Sequence, residues 1–196
     1  MRTALALLLM MAAPAAAELT PDEAAVLPRI LSVQVLDMVA VTIGEERAIL
    51  MAGTDPDMAD LVIVTGAPDE RAGEPLLVAR GIAWTGPMAG QVATLEISPA
   101  GGLQIVSGNS AIGRSAWMRR LTVAERDGAL VVAGFTQEGY DRIDGSSLRC
   151  DWNLLSGRII VERGDGTRRE EIGAPSRIAL RKWAGPEDRT PDVCRD

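Results

Sequence analysis

Apolar positions in this chain cluster in short segments, many of them alternating with polar ones. Val33, Val35, Met38, Val39, Val41 and Ile43 form a run rich in β-branched side chains, and apolar segments follow at 48–52, 61–65, 76–84, 91–98 and 102–107. Most are bounded by Gly, Pro or Asp at spacings of about 10–15 residues, the pattern of short strands joined by turns. Asp127-Gly128 separates 117–125 from 129–136, and Asp165-Gly166 separates 158–162 from 167–172. Asp-Gly favours a two-residue hairpin turn, because both central positions there need positive φ. Pro99-Ala100-Gly101 joins 91–98 to 103–107. Along 117–125, Trp117, Arg119, Leu121, Val123 and Glu125 share one face, and Met118, Arg120, Thr122 and Ala124 share the other. Neither set is wholly polar, so this hairpin is covered on one side and partly covered on the other.

The helical signal is confined to the start. Thr20 precedes Pro21 and stands three residues before Glu23, a capping-box arrangement with Pro at the first helical position. Pro28 limits this helix to one or two turns. The chain therefore predicts an all-β fold with a short N-terminal helix. Its antiparallel hairpins form either a sandwich or a partial propeller-like array. Segment 85–90, Thr-Gly-Pro-Met-Ala-Gly, reads as a loop or a joint between subdomains.

Residues 1–17 have a different pattern. Arg2 opens an apolar block from Ala4 to Ala13, and Pro14-Ala15-Ala16-Ala17 closes it before Glu18. A basic start, an apolar core and a small-residue site make a secretory signal peptide, with cleavage expected after Ala17. The block is too short to span a bilayer, which takes about 20 residues. Of 196 residues, removing 17 leaves a single β-rich domain at 18–196, in the periplasm or secreted. Losing Arg2 moves the net charge from −7 to −8. With no compensating basic patch, that surface argues against nucleic acid and anionic lipid as partners.

The chain contains no histidine and two cysteines. Ser-His-Asp and Cys-His nucleophile systems are thereby excluded, as are His-type zinc sites and four-cysteine metal sites within one chain. No cofactor is implied. Cys150 and Cys194, an even pair in an exported chain, read as a disulfide pinning the C-terminal tail to the body.

Two stretches carry a resemblance. Gly108-Asn109-Ser110-Ala111-Ile112-Gly113-Arg114 leads into Trp117 and a hairpin ending Val131-Val132-Ala133-Gly134-Phe135, and Cys150-Asp151-Trp152-Asn153-Leu154-Leu155-Ser156-Gly157-Arg158 comes later. Together they resemble bacterial exported proteins distantly similar to the VCBS/FG-GAP β-propeller repeat families, over at most residues 35–175. Such repeats often open with a D-x-D-G-D-G calcium loop. At the corresponding places here, Leu36-Asp37-Met38 and 43–47, only scattered carboxylates stand, so the resemblance implies no calcium site there.

Several groups have chemical potential. Asp141, Asp144, Ser146 and Ser147 surround Gly145 and could offer oxygens to a cation, or form a polar turn. Asp55, Asp57 and Asp60 pose the same alternative in a loop before a strand. Residues 107–114 form a small-residue loop ending in Arg114, suited to an anion or a partner's carboxylate, or to a plain connection. Asp151 and Asn153 follow Cys150 and would be held by its disulfide. Glu45-Glu46 and Glu170-Glu171 are adjacent doublets whose members point to opposite faces of a strand, so neither makes a catalytic pair. The four tryptophans are core positions or, where exposed, contact points.

These readings lead to a non-catalytic exported β-domain that binds an envelope protein or glycan around Asn109, Arg114, Asp151 and Asn153. The alternatives are a calcium-dependent structural module using Asp141 and Asp144, and a carboxylate-based glycan hydrolase with acids drawn from different strands.

Overall fold

The computed structural model describes residues 19–38, 44–66, 72–183 and 190–195. The leader and its cleavage point lie outside these, as do Val39, Val41 and Ile43.

The capping box forms. Thr20 Oγ1 accepts from the Glu23 N–H and the Glu23 carboxylate accepts from the Thr20 N–H at 2.7 Å, which starts helix α1, Pro21–Val26. The Thr20 N–H, and after it the Thr20 hydroxyl, donate to the Glu23 carboxylate and hold its pKa below the ordinary value. A 3-10 turn, Leu27–Arg29, follows and carries Pro28. No residue of α1 is buried.

Two antiparallel sheets then form a sandwich-like body, the first of the two arrangements the sequence allowed. The small sheet is a meander of β1 (Ile30–Leu36), β2 (Glu46–Ala52), β3 (Met58–Gly66) and β4 (Ala72–Trp84). The 85–90 loop then carries the chain to the large sheet. There β5 (Thr94–Ile97), β6 (Leu103–Asn109), β7 (Ser115–Arg126), β8 (Ala129–Asp141), β9 (Ser147–Asn153), β10 (Arg158–Arg163) and β11 (Arg168–Ile172) follow one another in order. A two-residue strand, β12 (Ile178–Ala179), pairs with Val131 and Val132 of β8, beyond the point where β9 leaves it.

Two turns behave differently despite sharing Asp-Gly. Asp127 and Gly128 both take positive φ, 53° and 77°, as a two-residue hairpin requires. At Asp165-Gly166 only the glycine does. Arg163 pairs with Thr167 around a three-residue loop, and the Gly166 N–H donates to the Arg163 carbonyl. That is a turn closed by one left-handed glycine, not a copy of the first hairpin.

The 91–98 segment also departs from expectation, since β5 begins only at Thr94. Gln91 is buried and plugs the preceding loop. Its carbonyl accepts from the Gly86 N–H, its side-chain oxygen accepts from the Met88 N–H, and its side-chain NH2 donates to Asn109.

Inward side chains of both sheets form one core. Leu50, Leu61 and Ile63 of the small sheet meet Leu103, Leu121 and Phe135 of the large one, and Leu180 and Trp183 close one end. The Phe135 and Trp183 rings lie 6.1 Å apart. Trp84 and Trp117 are half-buried at 5.1 Å, with the Arg119 guanidinium 4.8 Å from the Trp117 ring centre. The tryptophans thus pack rather than project. The large sheet has more strands than the small one, and a second apolar cluster of Cys150, Ile159 and Val161 on β9 and β10 is covered by Val193 and Cys194 of the tail. The Cys150–Cys194 disulfide holds the tail there.

Two acids lie in unusual places. Glu46 is fully buried, its carboxylate accepting from the Met38 N–H at 2.9 Å. Asp60 is buried beside a bulge between β3 and β4, accepting from the Gly81 N–H at 2.9 Å and from Arg80 at 2.6 Å. Gly81 has φ 55° there.

Candidate functional site

The outer face of the large sheet follows from its register. Arg120, Thr136 and Asp151 stand directly opposite one another on β7, β8 and β9. The next row towards one end is Gln104, Thr122, Gly134 and Asn153, and the next towards the other is Met118, Glu138, Arg149 and Glu162. Glycine at 134 leaves the floor low between Thr122 and Asn153. A groove of about 520 Å³ lies over this face, bordered by Gln104, Arg120, Thr122, Thr136, Asp151 and Asn153. A second hollow of about 550 Å³ adjoins it at Arg149, with Met118, Glu138, Tyr140, Ser147 and Glu162 on its lining. Tyr140 is 49% exposed there.

The groove's charges are set in an alternating lattice. Arg149 lies 3.1 Å from Glu138 and 3.9 Å from Asp151, Arg168 lies 3.6 Å from Glu162, and Arg120 lies 3.9 Å from Glu96. At its edge Arg158 grips Glu170 with two bonds of 2.7 and 2.9 Å, which lower the Glu170 pKa. Each of these carboxylates faces an arginine, and opposite charges across neighbouring strands stabilise the sheet. The Arg120–Glu96 and Arg149–Asp151 contacts are the longest of these, and Arg120 also donates to Met118 Sδ at 3.7 Å.

The structure separates the four residues picked from sequence. Asp151 and Asn153 border the groove, and Asn153 also caps the following turn by accepting from the Ser156 N–H at 3.0 Å. Arg114 lies six residues before Arg120, roughly 20 Å along an extended strand. Asn109 ends β6 beside the 110–114 loop, where it donates to the Ile112 carbonyl at 2.8 Å and accepts from the Ile112 N–H. Asn109 thus braces its own loop, and Arg114 belongs to a latch between two loops.

That latch joins the candidate anion loop to the candidate cation loop. Arg114 bonds Asp141 through Nε and Asp144 through Nη2. Arg142 crosses the other way to the carbonyls of Gly113 and Ser110. Asp141 accepts from the N–H groups of Ile143 and Asp144, and Asp144 from that of Ser146. The Asp141 pKa is lowered first by the Ile143 N–H and then by Arg114, and the Asp144 pKa first by Ser146. Both carboxylates are committed to the turn, the alternative to a cation site. Asp55 likewise accepts from the Asp57 N–H at 3.0 Å while Asp60 is buried elsewhere, so those three do not converge. Among the described residues no group of three acidic or cysteine side chains is placed to hold a metal.

Sequence reasoning missed Arg120, Thr136 and Arg149. The alternation along 117–125 placed Arg120 on the less covered face, but its neighbours come from strands whose register only the fold supplies. No protein-family model, curated protein or solved structure matches this chain.

Proposed function

We propose that this chain is an exported, non-catalytic β-sandwich domain that binds a protein or glycan of the cell envelope across the outer face of its large sheet. The observation that carries this reading is the open groove in which Arg120, Thr136 and Asp151 are aligned across three strands with Asn153 in the next row. A row of cation, hydroxyl and carboxylate offers donors and acceptors at strand spacing, about 4.8 Å per step. That suits an extended polar ligand such as a peptide segment or sugar chain. The secretory pattern of residues 1–17 and the Cys150–Cys194 disulfide support an oxidising location.

Capture from an envelope extract on the immobilised, oxidised 18–196 chain tests the reading. The expected result is one protein or glycan retained near stoichiometry, lost with Arg120→Ala or Asp151→Ala and kept with Arg114→Ala. Retention lost only with Arg114→Ala or Asn109→Ala moves the site to the loop latch, and a blank capture rejects the reading.

A further inference from the structure

The opposite side of the sandwich has a different chemistry. On the small sheet, Val33, Ile49, Val62 and Val78 stand directly opposite one another across all four strands, pointing away from the core. Val35 and Val64 flank Arg47 in the adjacent row, and Leu76 lies at the β4 edge. Val33 is 51% exposed, Val35 46%, Leu76 42% and Val78 40%. β1 is the clearest case, because Ser32 and Gln34 turn inward while its valines face out. Ser32 Oγ bonds the Leu95 N–H of the other sheet at 3.1 Å, which holds that register. A contiguous apolar sheet face left bare marks an interaction surface.

We propose that this face packs against the same face of a second copy, giving a reversible two-fold dimer. The shape argument is that a flat face of branched side chains is complemented by another such face, as in the aligned packing of sandwich sheets, and a two-fold pair is the commonest closed arrangement. The area agrees. Four strands at about 4.8 Å spacing and seven residues at about 3.3 Å give a face of roughly 450 Å². Two faces together cover roughly 900 Å² of flat footprint, below the roughly 1,200–2,000 Å² that stable pairs bury and in the range of weak, transient contacts. The dimer is therefore concentration-dependent rather than obligate. Charge does not oppose it, since Arg80 and Asp60 neutralise each other and Arg47 is the one cation within the apolar rows. In this arrangement the two large-sheet grooves face outward on opposite sides.

Sedimentation equilibrium of the oxidised chain across a concentration series tests the proposal. A monomer–dimer equilibrium is expected, weakened at least about tenfold by Val33→Lys and by Val78→Lys, each at an exposed edge-strand position, with the far-ultraviolet circular dichroism unchanged. Asp151→Ala leaves the dimer intact, so this result and the groove reading stand or fall separately. A wild-type chain that stays monomeric into the millimolar range, or a dimer indifferent to both lysines, overturns the proposal.

Discussion

Replacing Cys150 and Cys194 together by alanine removes the one covalent tie between the tail and the large sheet. Both cysteines are fully buried, 5.5 Å apart between Cα atoms and 44 residues apart in sequence. Closing a loop of that length restricts the unfolded chain by about 4 kcal/mol. Alanine is used so that no hydroxyl is left in the apolar cluster. Among the described tail residues, Val193 and Cys194 pack against Ile159 and Val161, and the bridge is what ties that packing covalently to β9. For a domain of this size the loss corresponds to a fall in Tm of roughly 8–16 °C. Denaturant unfolding followed by tryptophan fluorescence measures it, with Trp152 beside the cluster as a reporter. Limited proteolysis gives a second readout: under native conditions the variant loses its C-terminal tail and the oxidised wild type keeps it. A stability loss below about 1 kcal/mol, with the tail still protected, refutes the argument.

Three further outcomes follow from buried and paired groups. Asp60→Ala strips the Gly81 N–H and Arg80 of their acceptor and is expected to cost about 1–3 kcal/mol in urea unfolding. Phe135→Ala empties a site that is 1% exposed against Trp183 and is expected to cost about 3–5 kcal/mol by the same assay. Asp141 and Asp144 have folded pKa values below their ordinary 3.8, so their contribution is present above that pH and is lost as pH falls through the lowered values. The Tm difference between wild type and Arg114→Ala is therefore present at neutral pH and shrinks in strong acid, and an unchanged difference contradicts the latch.

What could be read from the sequence was local. The Thr20 capping box and the Asp127-Gly128 turn depend on neighbours a few residues apart, and both form. Alternation along 117–125 also held, because one face of β7 meets a dense core and the other meets solvent. What could not be read depends on register and on distant partners. Val33 and Val35 belong to a run rich in β-branched side chains, yet they face outward, with Ser32 on the core side bonded to β5. Arg114 and Asp141 are 27 residues apart, so two loops that each looked like a binding site instead satisfy one another. Gln91 sits in an apparent strand, but its amide fits the 85–90 loop, and the strand starts only at Thr94. The groove itself needs side chains from at least three strands, and only half of the residues chosen from sequence border it.

The most direct test of the central claim is hydrogen exchange of the oxidised chain, alone and saturated with the material it captures from the envelope. Binding across the large sheet predicts added amide protection in 118–124, 134–138 and 149–153. Protection confined to 30–36 and 46–66, or to the 110–114 loop, would contradict it.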